Sequence, residues 1–384
     1  MDTKTLSVFN QIKQFIPYAR FSYLVGQHQT DRSCKAFSTE KLFSSLLFAQ
    51  VKGKNSLRAI EGSLLGYHYL DSKRSTLSYW NNHKSKSIVF EELFYCLLKE
   101  LESKNCDKRY SFQNNIHILD STTISLSIGV FDRAKYRKRK WAIKLHISID
   151  EHWYLPWLIV FTNGKVADNN VAFDVVDTMK WWDIIVFDRW YVDYDLWNKI
   201  NTENKFFVTR TKKNTDYCPI EDIPITQPNI LYDKKVELIW LQVKHRWPYR
   251  IIRYHHEDKR TNEEKKYEYV TNNFELSAEE ITQLYKNRWV IETFFRRIKQ
   301  NLHIKTFLWS SENAVRNQIW VAVIYYLIML FIAHQAKIAM KSLIRLSELL
   351  SDFCMVERSN IELLRLPKNI ISRNKGSPYQ FWLF

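Results

Sequence analysis

The chain has 384 residues, 46% of them apolar, so it can form two or three structural units with their own cores and is not a disordered tail. Lysine and arginine number 57 against 41 acidic residues, and the formal charge of +16 attracts polyanions. Nucleic acid is therefore the leading partner, although a basic balance also aids solubility or adhesion to a membrane surface.

The cysteines and the apolar segments indicate the cellular compartment of the protein. The five cysteines are scattered, odd in number and never in a C-x-x-C pair, which disfavours a disulfide framework or zinc ribbon and fits a reducing cytoplasm. The N-terminal MDTKTLSVFNQIK has no apolar core before a cleavage site, so we expect no export. The longest apolar run, at 319–333, is shorter than the ~20 residues that cross a membrane and predicts a buried helix.

The first part of the chain has the periodicity of helices. Apolar residues recur at three and four spacings in EKLFSSLLFAQV and VFEELFYCLLKELE. Thr39 and Ser87 are placed to cap near the starts of these two helices. We therefore predict a separate helical domain over residues 1–105.

From Ile116 the pattern changes to short runs rich in isoleucine, valine and leucine. The runs IHILDSTTISL, KLHISID, YLPWLIVFT and DIIVFD read as strands, with a helix-like stretch at 168–180 before the last. This order predicts a mixed α/β sheet. Residues 205–272 contain FFVTRTK, KVELIWLQV, YRIIRYHH and KKYEYVTN, and are predicted to be a β-rich insertion.

The last third is predicted to be helical. Ser277 and Glu280 have the spacing of a capping box, and one long helix is predicted after them through Leu302. An apolar helix near 319–335 and a helical, basic tail follow. The predicted domains are residues 1–105, an α/β domain at 106–335 that contains the insertion, and a tail at 336–384.

A polar stripe distinguishes the segment YKNRWVIETFFRRIKQNLHIK. Tyr285, Arg288, Glu292 and Lys299 stand at offsets of 0, 3, 7 and 14, which fall within roughly 60° of one another on a helix. The adjoining face is apolar, so the stripe borders a core. Spacing alone also fits an ordinary amphipathic helix with surface ion pairs.

Two aspartates follow hydrophobic runs. Asp120 closes IHILD and Asp188 closes DIIVFD, and functional groups in α/β sheets gather beyond the carboxyl ends of strands. Either residue alone is more often a turn or cap residue. Together with Glu292 they form a set of carboxylates without histidine or cysteine, which suits Mg²⁺ or Mn²⁺ and phosphoryl transfer with two ions.

These segments resemble a known family. The pattern Y-x₂-R-x₃-E-x₆-K at 285–299 resembles the signature of family-four insertion-sequence transposases, of the DDE type with an RNase H-like core. The resemblance extends over about residues 5–335. It includes FSTEKLFSSLLFAQ, NSLRAIE, DSTTISL, KLHISID, the segment 186–194, FFVTR and IKQNLHIKTFL.

The resemblance implies a mechanism. Asp120, Asp188 and Glu292 would be a catalytic triad that binds two Mg²⁺ ions, for which Mn²⁺ can substitute. Tyr285, Arg288 and Lys299 would contact DNA at the transposon end. The family acts as a homodimer that cuts each element end and joins it to target DNA, with a helical DNA-binding N-terminal domain, so double-stranded DNA in a bacterial cytoplasm is the expected partner.

Other polar groups carry less specific signals. RAKYRKRKWAIK at 133–144 is expected to grip phosphate, through Arg137, Lys138, Arg139 and Lys140, although a solvated loop is equally consistent with it. His117 and His146 are expected to be structural strand histidines. His255 and His256 lack the other half of a metal site.

Three tryptophans depart from the family, which usually has glycine at the positions of Trp141, Trp190 and Trp309. Ordinary usage of ~7% would give about 27 glycines, but the sequence has 7 glycines and 14 tryptophans. Some bacteria read UGA as glycine, and a translation of UGA as tryptophan would produce this pattern. If the tryptophans are genuine, the alternative is a decayed protein that only binds DNA; a metal nuclease without strand transfer is a further alternative.

Overall fold

The computed structural model describes residues 6–34, 36–54, 56–70, 72–104, 115–125, 142–150, 155–163, 168–212, 215–239, 247–258, 263–301, 311–336 and 343–357. Contacts between residues divide the chain into two compact units. One unit is Met1–Asn105 with Gln300–Phe384, and the other is Cys106–Lys299.

The elements follow in chain order. The helices are α1 (Val8–Gln14), α2 (Tyr18–Gln27), α3 (Thr39–Val51), α4 (Leu57–Gly66), α5 (Arg74–Tyr79), α6 (Ser87–Lys104), α7 (Asp168–Thr178), α8 (Tyr194–Thr202), α9 (Ala278–Lys286), α10 (Trp289–Asn301), α11 (Glu312–Gln335) and α12 (Leu343–Asp352). The strands are β1 (Ile116–Ser125), β2 (Ala142–Asp150), β3 (Pro156–Asn163), β4 (Ile184–Phe187), β5 (Phe206–Arg210), β6 (Tyr217–Asp222), β7 (Ile230–Leu238), β8 (Tyr249–Asp258) and β9 (Glu263–Thr271). A π-helical turn spans Trp80–Lys84, and a 3₁₀ turn spans Arg189–Tyr191.

The helical unit is built around α11. This helix packs on α3 and α6, and its Trp320 ring lies 5.3 Å from that of Phe94. Its length and apolar composition would suit a membrane span, but 94% of its most apolar window is buried inside the protein. The prediction of a buried apolar helix is confirmed.

The cap of α3 differs from the prediction by one residue. The Ser38 hydroxyl accepts a hydrogen bond from the Lys41 backbone N–H at 3.2 Å. Thr39 is the first helical residue and is fully buried, and its hydroxyl donates to Asp31 at 2.6 Å. Ser87 is likewise the first residue of α6. The capping role predicted for Thr39 is therefore wrong.

The described strands of the second unit form one mixed sheet, which confirms the predicted α/β class. The strand order is β3-β2-β1-β4-β5-β9-β8-β7-β6. The first three strands pair antiparallel, whereas β4 and β5 run parallel to β1. Because β4 is buried along its whole length, its sequence is a continuous apolar run. Val175 and Trp197, from α7 and α8, join the core beside Phe187 and Phe207.

The β-rich insertion continues the same sheet. β9 pairs antiparallel with β5, and β8, β7 and β6 follow outward. β7 begins at Ile230, before the predicted strand that starts at Lys235. β6 was not predicted, because most of its residues are polar or exposed at the edge of the sheet.

The segment after Ser277 forms two helices and not the single helix predicted. The capping box is confirmed, since the Ser277 hydroxyl accepts from the Glu280 N–H and the Glu280 carboxylate accepts from the Ser277 N–H. α9 ends at Lys286 and α10 starts at Trp289. Short-range backbone bonds, such as that from the Arg288 N–H to the Tyr285 carbonyl, close the turn between them. The polar stripe therefore bends at Arg288.

The compact units divide the chain at a different place from the predicted domains. Residues 300–384 group with residues 1–105. The cause is α11, whose apolar surface is buried against α3, α6 and α12. The predicted division at 105 and 335 stays a prediction about functional domains.

We predict that the buried ion pair of the insertion is essential to its stability. Arg250 donates to Asp233 at 2.6 and 2.9 Å, and both side chains are at most 4% exposed. Asp233→Ala leaves a buried guanidinium without this partner, so the free energy of unfolding should fall by about 3–5 kcal/mol in urea titrations. Asp222→Ala removes an exposed partner of Lys234 and should cost less than about 0.5 kcal/mol. Equal losses for the two variants would contradict the prediction.

Candidate active site

Two aspartates meet where the parallel pairing of β1 with β4 ends. Leu119 is the Cα partner of Phe187, the last residue of β4. The residues that follow, Asp120 and Asp188, are therefore neighbours across the two strands. The prediction that Asp120 ends its own strand is wrong, because β1 continues along β2 to Ser125. At Asp120 the pairing of β1 with β4 has ended, whereas the pairing of β1 with β2 continues.

Glu292 reaches the same place from the first turn of α10. The apolar side chains Ile291, Phe294 and Ile298 of that helix are buried, as the sequence pattern predicts. The Glu292 side chain is 51% exposed on the other side. The apolar face of α10 thus fixes the helix while leaving its carboxylate accessible.

Arg288, in the turn between α9 and α10, contacts all three acids. Its Nη1 donates to Asp120 Oδ2 at 3.0 Å and its Nη2 donates to Glu292 Oε1 at 2.5 Å. The same Nη2 lies 3.7 Å from Asp188 Oδ2. The side chain is only 15% exposed. Three carboxylates from separate elements therefore converge on one guanidinium.

Burial and charge oppose each other in this cluster. Burial raises the pKa of Asp120 to about 6, although the Ser121 N–H and Arg288 favour its ionised form. Burial alone would lower the pKa of Arg288, but Tyr285 and the three carboxylates outweigh it and leave that pKa raised. The acids are thus held together by a permanent positive charge.

The donor set has the chemistry of a divalent metal site. Carboxylate oxygens suit Mg²⁺ and Mn²⁺, and such ions leave positions for water and substrate phosphate. Within the described ranges, no three acidic, histidine or cysteine side chains are arranged to ligate one ion directly. The same oxygens bond to Arg288 in this structure. The acids therefore have the oxygen chemistry that a hard cation prefers, and in this structure their oxygens are arranged around Arg288.

Tyr285 is buried beside Arg288. Its ring centre is 4.9 Å from that of Tyr269, and 8% of the residue is exposed. Burial raises the pKa of its hydroxyl to about 12. The Arg288 guanidinium lies 5.8 Å from its ring centre. The ring supports Arg288 and is not an open surface on which a base could stack in this structure.

Five predicted DNA contacts lie outside the residues whose side chains the structure describes. They are Lys299 on α10 and the basic group Arg137, Lys138, Arg139 and Lys140.

The strand histidines have structural partners, as expected. His117 hydrogen-bonds to Asp183 at 3.1 Å and packs at a tilt against the Trp157 ring, with ring centres 4.7 Å apart. His146 hydrogen-bonds to Thr162 at 2.8 Å. The sequence reading missed Asp183, which precedes β4 at the end opposite Asp188.

Trp190 does not fill the space between the acids. It lies in the 3₁₀ turn just after Asp188, and 70% of its surface is exposed. The Arg189 guanidinium lies 5.7 Å from its ring. Its backbone is not among those of positive φ, so the conformation at 190 does not require glycine. Trp141 and Trp309 lie outside the described residues.

The sequence matches known families in two regions. Residues 111–328 match the family described as "Transposase DDE domain", and residues 4–68 match a domain of unknown function. The chain is 27% identical over 315 residues to a protein of Geobacillus stearothermophilus assigned as the transposase of insertion sequence element IS5377, covering 79% of each chain. It is 29% identical over 308 residues to a Sinorhizobium fredii protein assigned as the transposase y4zB, covering 78% of this chain and 83% of that protein.

We predict that Asp183 stabilises the sheet through its ionised form. It accepts hydrogen bonds from His117, Asn115 and the Lys180 N–H. Burial would raise the pKa of Asp183, but these donors leave it lowered, so its contribution exists above the unfolded pKa of about 4 and is lost as pH falls through the lower folded value.

Asp183→Asn should therefore lower the free energy of unfolding by about 1–3 kcal/mol at pH 7, with a smaller difference below pH ~4. Urea titrations at both pH values measure this effect. The control is Asp177→Asn, because the Asp177 side chain is 58% exposed. A loss at Asp183 that is the same at both pH values would show that charge is not its cause.

Proposed function

The chain belongs to the DDE transposase family, and from this membership we propose that Asp120, Asp188 and Glu292 are its catalytic acids. As a DNA transposase it has an RNase H-like core, cleaves DNA and transfers strands. The observation that supports the assignment is the convergence of these acids on Arg288, from within β1, from the residue after β4 and from α10.

The acids would hold two Mg²⁺ ions, for which Mn²⁺ can substitute. DDE transposases use divalent metal, which supplies an activated water or 3′-hydroxyl and stabilises the leaving oxygen. Asp120 lies on β1 and Asp188 directly follows β4, so the sheet places the two residues side by side. Glu292 is more exposed than either aspartate and would complete the set from the solvent side.

Cations around the acids would hold the DNA. Arg288 and Lys299 would neutralise phosphates at the transposon end, with Tyr285 supporting Arg288 from its buried position. Arg137, Lys138, Arg139 and Lys140 would bind further phosphates. The helical N-terminal region would add DNA contacts of its own.

The protein would act as a homodimer that brings two inverted-repeat ends together and inserts them into target DNA. Its place would be the bacterial cytoplasm, in association with the nucleoid. The substrate ends are then the inverted repeats expected in the DNA that flanks the reading frame.

Replacing Asp120 should remove chemistry without removing DNA binding. We expect Asp120→Ala to reduce cleavage of a labelled transposon-end duplex in Mg²⁺ by on the order of 10³-fold or more. Its gel-shift affinity for the same duplex should stay within a few-fold. Products on denaturing gels separate nicking from joining.

Asp222→Ala is the matched control, because it removes an exposed aspartate of β6. If Asp120→Ala retains cleavage, the site assignment fails. Cleavage without joining in the unmodified protein would indicate a nuclease, and binding without either step would indicate a decayed transposase.

A further inference from the structure

Arg288 occupies the position where the charge of a metal would act. The three acids bring up to three negative charges together, and among the described residues Arg288 is the cation in contact with all of them. Its planar donor groups match carboxylates, and two of its nitrogens already bond to two of them. Its Nε is buried with no hydrogen-bond partner in the described part of the chain. The guanidinium thus donates hydrogen bonds to the acids, and the Tyr285 ring lies beside it.

A metal ion and this guanidinium compete for the same atoms. Asp120 Oδ2, Asp188 Oδ2 and Glu292 Oε1 are the oxygens that face Arg288. Two cations within a few ångströms of each other in a partly buried site repel strongly. A divalent ion bound to these oxygens therefore requires the guanidinium to move.

We propose that Arg288 is an internal counter-ion that keeps metal affinity low until a DNA phosphate takes the guanidinium away from the acids. This inference rests on the proposed function of the three acids. Arg288 lies in the turn between α9 and α10, so its side chain can move without unwinding either helix. Phosphate binds arginine with the same two-pronged geometry as carboxylate.

The two ligands are then linked. If phosphate binding at Arg288 frees the carboxylates, DNA raises metal affinity, and metal raises DNA affinity by the same factor. An unloaded protein would keep its acids neutralised, and metal would enter where DNA is already bound.

Mn²⁺ binding to the full chain, followed by electron paramagnetic resonance, tests this coupling without any turnover. We expect Arg288→Gln to bind Mn²⁺ about tenfold more tightly than the unmodified protein in the absence of DNA. A duplex copied from the flanking inverted repeat should raise Mn²⁺ affinity in the unmodified protein and have little effect in Arg288→Gln. Arg296→Gln is the control, because Arg296 is exposed on the same helix.

Two further variants distinguish a failure of the proposed coupling from a failure of the proposed metal site. Arg288→Lys keeps the charge but loses the forked geometry, so its affinity for Mn²⁺ should be intermediate; it also serves if Arg288→Gln does not fold. Unchanged or weaker Mn²⁺ binding in both Arg288 variants overturns the coupling. If the unmodified protein with DNA binds Mn²⁺ no better than Asp120→Asn, the metal site itself is wrong.

A second inference comes from the backbone at Trp182. Its φ is 69°, in the left-handed region that a bulky side chain rarely adopts. The other non-glycine residues of positive φ in the described ranges are polar: Gln29, Ser33, His68 and Asn204. Trp182 stands in the turn before β4, where its N–H donates to the carbonyl of Asn204 at 3.0 Å. The backbone of this turn therefore favours glycine over a bulky residue such as tryptophan.

We infer that the working protein has glycine at position 182, as the family resemblance suggests separately for positions 141, 190 and 309. The positive φ of Trp182 is a property of this turn and does not depend on any family pattern. If the organism reads UGA as glycine, a translation that assigns UGA to tryptophan would place a tryptophan at this position.

The codons and one variant pair test this second inference. UGA at 182, 141, 190 and 309 is the expected result, with UGG at 289 and 320, where the resembled family also has tryptophan, and UGG at 182 overturns the inference. Trp182→Gly should raise the melting temperature of the full chain by about 1 °C, despite losing the contact with Phe206. Trp181→Gly, at an exposed neighbour outside the positive-φ region, should not raise it. Equal effects of the two variants would contradict the inference.

Discussion

Parallel pairing of β1 with β4 is the constraint on which the candidate site depends. It places two aspartates, far apart in sequence, side by side, because the pairing runs out just before both. Antiparallel pairing with β2 continues past the same point and holds Asp120 on a rigid strand. The sheet therefore fixes two carboxylates within one unit, and only Glu292 has to be supplied by a separately docked helix.

Gathering acids in a partly buried place is unfavourable without a positive charge. The site meets this requirement with a side chain of its own, since Arg288 contacts all three carboxylates. An arginine is suited to this place because its charge survives burial and its flat group has donors on several sides. Arg288 contacts the acidic cluster, and its guanidinium also has the chemistry to bind DNA phosphate. One guanidinium does not bind both partners fully at the same time, and the proposed movement of Arg288 accounts for both properties.

Much of this arrangement could be predicted from local patterns, and the remainder could not. The apolar runs identified β1 to β4, and the spacing of Ser277 and Glu280 identified a helix start. The break at Arg288 was missed, because two short helices with a tight turn keep nearly the same periodicity as one. Asp120 was placed at a strand end because its run of apolar residues stops there, whereas the strand continues through polar residues that pair with β2. The length of β1 beyond Asp120 depends on its pairing with β2, which local sequence patterns do not show.

The carboxylates at the two ends of β4 differ in the hydrogen-bond donors around them, and their pKa values are shifted in opposite directions. Asp183 is buried where the His117 ring, the Asn115 amide and a backbone N–H surround its oxygens, and these donors lower its pKa. Asp120, beside the other end, is half-buried, its donors among the described residues are the Ser121 N–H and Arg288, and burial raises its pKa to about 6. The first acid has partners that nothing in the reaction would remove. The second depends on the side chain of Arg288, and under the proposed coupling its oxygens become available to another cation when that side chain moves.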